Sequence, residues 1–188
     1  MIIRKAFKFR LKTNYKTENE LVKIAGASRF LWNKSLILNL ERLRNKQKIM
    51  WYHELDFWAK LWKRSEEYGF LKDCPAQVLQ QKLMDLDKAF RDAFDKKQPN
   101  KKIPRLKKKF IDDGFRYPQH FKVNNNQVYL PNVGWLSFFK SREIIGTPKN
   151  ISISRHAGKW YVSIQTEYEV EQSIHPVSYT HLTLPTKA

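Results

Sequence analysis

The chain has 188 residues, 41% hydrophobic and 14% aromatic, which suffices to bury a core and excludes a wholly disordered polymer. Its 36 Lys and Arg against 18 Asp and Glu leave a net charge of +18, so polyanions are the expected partners: nucleic acid first, an anionic membrane surface second. A single cysteine, Cys74, excludes an internal disulfide framework and fits a reducing, cytoplasmic compartment, five scattered histidines offer no zinc cluster, and no run is apolar enough to span a bilayer.

The N-terminus alternates. Ile3, Phe7, Phe9 and Leu11 face one way and Arg4, Lys8, Arg10 and Lys12 the other, the period of a half-buried strand with a positive open face. Thr17 and Glu20 have the spacing of a capping box, and Leu21, Ile24, Ala25, Leu31, Trp32, Leu36 and Leu40 predict a helix to about Lys46, with a possible break near Gly26. A second helix is expected from Tyr52 to about Ser65. Asp73-Cys74-Pro75 opens a third, with Leu79, Leu83, Leu86, Phe90 and Phe94 as its apolar stripe. Gln77, Gln80, Gln81 and Arg91 form its other face, which is either a solvated surface or a reader of base edges, since Gln pairs well with adenine. Trp32, Trp58, Trp62 and Trp160 lie on apolar stripes and are expected in the core. Tyr52, flanked by polar residues at a helix start, is a contact candidate.

From Lys96 to Lys109 the chain reads KKQPNKKIPRLKKK, with two prolines against a continued helix and no acid in the run. It is either a solvated linker or a strap that neutralises phosphates through Lys101, Lys102, Arg105, Lys107, Lys108 and Lys109. Arg4, Lys8 and Arg10 on the first strand are candidates for the same work. After Gly114 the texture turns to strands. FRYPQHFKV and QVYL flank the turn Asn124-Asn125-Asn126, and ISISR and KWYVSIQTE flank His156-Ala157-Gly158. The first strand's partners must lie at this far end. The expected architecture is therefore α+β: a small antiparallel β-barrel, OB-like, with a helical domain inserted after its first strand. The expected division is a first barrel strand (1–13), a helical recognition domain (14–95), a basic strap (96–114), the remaining barrel strands (115–171) and a tail (172–188).

No Gly-rich phosphate loop, H-E-x-x-H motif or paired cysteines occur, and no catalytic constellation can be assigned. Asp85, Asp87 and Asp92 are expected in local ion pairs on the third helix. Glu167, Glu169 and Glu171 read as a solvated acidic edge.

Several segments in order resemble the N-terminal half of the TnpB/OrfB family of insertion-sequence proteins. They are Lys5-Ala6-Phe7, Ala27 to Asn33 (ASRFLWN), Leu79-Gln80 with Leu86 and Ala89-Phe90, Pro104 to Lys109 (PRLKKK), Asn124 to Asn126, Leu130 to Trp135 (LPNVGW) and Gly158 to Tyr161 (GKWY). Together they cover about residues 1–171. The resemblance implies a wedge-type barrel interrupted by recognition helices, an RNA-guided DNA endonuclease, and guide RNA and double-stranded DNA as partners. It also implies that a short DNA motif beside the target is contacted by Tyr52, Gln80 and Asn124, with Gln77 on the same helix face. Ala76 stands where relatives often carry lysine, and Val123 where they carry a hydroxyl residue, so a different DNA motif is expected. A helix-turn-helix, as the family's first helices have been described, would fall on about residues 1–45.

The family's cleavage implies a RuvC-like domain with divalent metal and an inserted zinc ribbon. The sequence carries neither its G-x-D-x-G-like motif nor paired cysteines, so no cofactor is expected and no cleavage by these residues. Val177 to Thr186 resemble a translated sequencing adapter, and the expectation is that the native frame ends before that nuclease domain and that the tail has no partner in the fold. Two other readings remain: a self-contained helix-turn-helix regulator, and a basic structural RNA-binding protein.

Overall fold

The computed structural model describes residues 1–169. Strand β1 (Ile2–Arg10) is followed by helices α1 (Tyr15–Arg44), α2 (Tyr52–Arg64) and α3 (Ala76–Phe94), then by β2 (Gly114–Tyr117), β3 (Lys122–Asn124), β4 (Gln127–Leu130), β5 (Gly134–Ser137), β6 (Thr147–His156) and β7 (Lys159–Glu169). The molecule is α+β with antiparallel pairing throughout, and β1 finds its partner at the far end of the described chain, on β7.

The alternation of β1 holds in three dimensions. Phe7 and Phe9 are buried and the intervening Lys8 and Arg10 exposed, so one face adds about 1.5–3 kcal/mol per ring to the core and the other stays cationic. Between β6 and β7, Ala157 and Gly158 both have positive φ, 47° and 75°, forming the two-residue hairpin turn that matches strand twist.

The expected barrel is not formed: the strands make two separate sheets, ordered β1-β7-β6-β2 and β3-β4-β5. The reason lies between Tyr117 and Lys122, where the sequence predicts one strand-like run. Pro118 cannot donate to a ladder and His120 adopts φ 58°, so the chain leaves the first sheet and starts the second. On the other side the sheets touch through one bridge, Leu11 with Phe138. Two bonds flank it, Lys12 N–H to Ser137 O (2.7 Å) and Phe139 N–H to Arg10 O (2.9 Å).

Two helix expectations also change. The cap of α1 is Asn14, not Thr17. Asn14 Oδ1 accepts from Thr17 N–H (2.9 Å) and Thr17 Oγ1 from Asn14 N–H (3.0 Å), so the box sits three residues earlier than the Thr17–Glu20 spacing suggests, and Glu20 pairs with Lys23 instead. No break occurs at Gly26. Its neighbours Ile24, Ala25 and Ala27 are all buried, and tertiary packing on both sides outweighs the roughly 1 kcal/mol helix penalty of glycine.

Candidate nucleic-acid interface

The basic strap is bound to α1 by its backbone. Trp32 Nε1–H donates to Arg105 O (3.0 Å), and the Asn33 side chain both donates to Lys107 O (3.0 Å) and accepts from Lys107 N–H (2.8 Å). Asn33 thus offers an extended chain the donor–acceptor pair of a neighbouring strand. The strap's far end is held by buried Asp113, which pairs with Arg29 of α1 and accepts from Phe110 N–H (3.0 Å). Asp112 accepts from Lys108 N–H (2.9 Å).

With the backbone held inward, the cations point out. Lys101, Lys102, Arg105, Lys108 and Lys109 are exposed, and none of them forms an ion pair within the described chain. Lys109 lies over the Phe110 ring (4.9 Å). Lys107 differs: it is half-buried, with its ammonium over the Trp32 ring (4.2 Å). Close to it is Lys82 of α3, which is buried and donates to Gly114 O (2.8 Å). Burial, and then the nearby Lys107 charge, push the Lys82 pKa down to about 8.

The open face of β1 is divided. Lys8 stacks over Tyr161 (5.0 Å), and Arg10 and Lys12 over Phe139 (4.3 and 4.7 Å), so these cations ride on exposed or half-exposed rings and keep their charge toward solvent. Arg4 is instead paired with Glu167 (2.7 Å), which Lys149 also approaches (3.6 Å), and these partners hold the Glu167 carboxyl below its ordinary range. Glu167 is therefore a counter-ion on an interior strand rather than part of a free acidic edge; Glu171 and the tail, with its adapter-like Val177 to Thr186, lie outside the described residues. Asp87 and Asp92 pair with Arg91 and Lys88 one turn along α3, as their spacing predicts.

Two of the four motif-contact candidates, Tyr52 and Gln80, lie along the α2–α3 contact, in separate clefts. Tyr52 is the first residue of α2, half-buried, its N–H directed at Asp87 of α3 (3.3 Å) and its ring edge-on to His53. Burial and Asp56 raise its hydroxyl pKa. Gln80 lines a small cleft of about 60 Å³ with Asp56 and Lys60 of α2. Gln77, one turn earlier, accepts from Gln119 N–H (3.3 Å) and so ties α3 to the segment entering the second sheet. Asn124 is exposed at the end of β3, paired with Gln127 across the turn whose Asn125 has φ 47°. None of the described contacts joins it to the other three.

Sequence reasoning missed two features. Asn33 is visible in the sequence only as part of a motif, because its role depends on a segment 74 residues away. Trp58 is expected in the core but is 42% exposed. It shares the apolar stripe of α2, yet only Leu55 and Ala59 of that helix are fully buried, and Trp58 lies outside that narrow contact. Trp32 and Trp160 are buried as expected and Trp62 partly so.

Residues 1–48 match a family model described as a helix-turn-helix domain, that of OrfB proteins of IS605 type. The chain is 40% identical over 173 residues to InsQ of Escherichia coli (strain K12), which carries the name of an RNA-guided DNA endonuclease; the match covers 91% of this chain and 42% of that protein. The chain resembles proteins of the TnpB/OrfB type. A second relative, from Streptomyces pristinaespiralis and also named an RNA-guided DNA endonuclease, is 29% identical over 171 residues, 88% of this chain and again 42% of its own length. The chain thus spans less than half the length of these relatives. The helix-turn-helix of the family description corresponds here to β1 followed by the single unbroken α1, with no turn dividing two helices. Among the described residues no group of His, Cys, Asp or Glu could hold a metal ion, so they do not fit the metals of a nuclease centre, and no helix is long and apolar enough to cross a membrane.

Proposed function

We propose that residues 1–169 of this chain are the nucleic-acid-binding part of an RNA-guided DNA endonuclease, engaging a guide RNA and a short double-stranded DNA motif. The observation that carries this reading is the strap. Its peptide backbone is fixed to α1 by Trp32 and Asn33 while Lys101, Lys102, Arg105 and Lys108 project outward with no acid to neutralise them. Cations on a fixed backbone lose little entropy when they meet phosphates, and each phosphate neutralised releases counterions. Lys8 and Arg10 offer a second cationic surface on β1, at the opposite edge of the sheet from β2.

Base reading is assigned to Tyr52 and Gln80 along the α2–α3 contact, to Gln77 on α3 beside Gln119, and to Asn124 as a separate contact from the second sheet. An amide can pair with both adenine edge atoms in the major groove. The relatives' names support the RNA-guided reading; in such a system the sequence of the target is read by base pairing and the protein reads only the adjacent motif.

The test is binding of the purified chain to a structured RNA and to duplex DNA across a salt series. Affinity should fall steeply and linearly in log–log form for both. Absent or salt-insensitive binding to both overturns the proposal.

A further inference from the structure

A groove of about 720 Å³ lies between α1 and α2, bordered by the strap anchors Arg29 and Asn33 but by none of the motif-contact or phosphate candidates above. Its apolar wall is Phe30, Ile37 and Leu38 of α1 facing Trp58 and Trp62 of α2. Trp58 is 42% exposed and Ile37 44%, which leaves a large indole open to solvent in a concave site. The two indoles are tilted 35° at 6.3 Å, too close to admit a ring between them, so the free face is the outer face of Trp58.

The groove also carries charge: Lys34, the strap anchor Arg29 and one carboxylate, Glu41. Lys34 on its wall meets no carboxylate: it donates to Tyr68 Oη (3.0 Å) and lies over the Tyr68 and Trp62 rings (4.2 and 5.1 Å). Asn33 lines the same groove and binds the Lys107 backbone, so the strap meets the groove at Asn33. A strand whose phosphates sit on Arg105 and Lys108 would have its bases beside the groove. An apolar protein segment would gain nothing from those cations.

We infer that the α1–α2 groove is a stacking site for an unpaired base of single-stranded nucleic acid, with Trp58 as the platform and the strap holding the adjoining phosphates. This rests on the nucleic-acid reading above and deepens it. Aromatic platforms beside a positive track are how sequence-tolerant single-strand binders work. A duplex has no free base to offer and does not use the groove.

The experiment compares three fluorescent ligands on the full chain: a short oligoadenylate, the same oligomer with abasic sugars, and a duplex of equal length. Trp58→Ala should weaken the oligoadenylate about 5- to 100-fold while leaving the abasic oligomer and the duplex unchanged. Trp58→Phe should restore most of the loss, and oligoadenylate should quench tryptophan emission in the native chain more than in W58A. Equal affinity of native and W58A chains for oligoadenylate overturns the inference, as does equal weakening of all three ligands. Concentration-dependent self-association abolished by W58A, with oligoadenylate binding intact, would assign the groove to a second copy and overturn it too. A native chain that binds none of the ligands would instead fail the nucleic-acid reading on which the inference stands.

Discussion

Asn33 and Lys107 are joined by two hydrogen bonds, side-chain amide to backbone, at 3.0 and 2.8 Å, across 74 residues of sequence. Asn39 of the same helix does the same to Met50 at 2.9 and 2.8 Å. Helix α1 is thus a spine that pins two irregular segments by asparagine amides, and in both cases the amide fills the backbone donor and acceptor that an extended chain would otherwise leave unmet. Asn33→Ala should lower stability by about 1–3 kcal/mol, because Lys107 then loses both backbone partners. The sharper readout is trypsin: cleavage after Lys107, Lys108 or Lys109 should accelerate in N33A under native conditions, well before global unfolding.

Arg29 and Asp113 form the buried counterpart of that anchor, with side chains 17% and 5% exposed. Asp113→Ala leaves a guanidinium and the Phe110 N–H without their acceptor, and should cost about 3–5 kcal/mol by denaturant unfolding. Arg29→Met with Asp113→Leu should cost less than D113A alone, since removing both charges avoids the unpaired ion. A double variant no more stable than D113A would show that the pair's geometry, not its charge, holds this end of the strap.

Replacing Lys101, Lys102, Arg105 and Lys108 together by Gln should leave thermal stability nearly unchanged, because these exposed cations make no ion pairs within the described chain. On duplex DNA the slope of log affinity against log salt should fall by about 3–4, roughly 0.9 for each phosphate that is no longer neutralised. A slope that does not change would mean that the strap lies off the bound backbone. Gln80→Ala should act differently, weakening binding to one sequence over others with the salt slope intact.

Much of this arrangement is legible in the sequence wherever the signal is local and periodic. The β1 alternation, the three helices, and the ion pairs of Asp87 and Asp92 follow from spacing alone, and the pairing of β1 with the distant β7 follows from the absence of any nearer strand. What is not legible depends on where the chain turns. Pro118 and His120 separate two sheets that composition alone would close into one barrel. Trp58 shows the other limit: an apolar stripe says which side of a helix faces inward but not how wide the neighbouring surface is, and α2 packs through a contact too narrow to cover it. Asn33 carries no periodic signal at all, because its partner is irregular backbone.

Lys82 gives the pH dependence. It is buried, and its pKa falls from 10.5 to about 8 because burial and Lys107 disfavour its charge. Below pH 8 both folded and unfolded chains hold the proton, and the full cost of the buried charge opposes folding. Between pH 8 and 10.5 the unfolded chain binds the proton while the folded chain releases it, so this residue's contribution to stability rises with pH. Cys74 works the other way: burial raises its thiol to about 12, so above pH 9 the unfolded chain loses a proton that the folded chain keeps, and stability falls. Tyr117, whose hydroxyl donates to Pro131 O (3.1 Å), is raised by burial as well and adds to that fall above pH 10. The native pH profile therefore mixes opposing effects, and Lys82→Met isolates one. The stability of K82M relative to the native chain should be greatest near pH 7 and should drop by on the order of 2 kcal/mol by pH 10, because the native protein alone sheds the buried charge. Paired urea unfolding curves at about pH 7, 8.5 and 10 measure it. A constant difference between the two proteins would mean that Lys82 keeps an ordinary pKa, stabilised by the Gly114 carbonyl despite its burial.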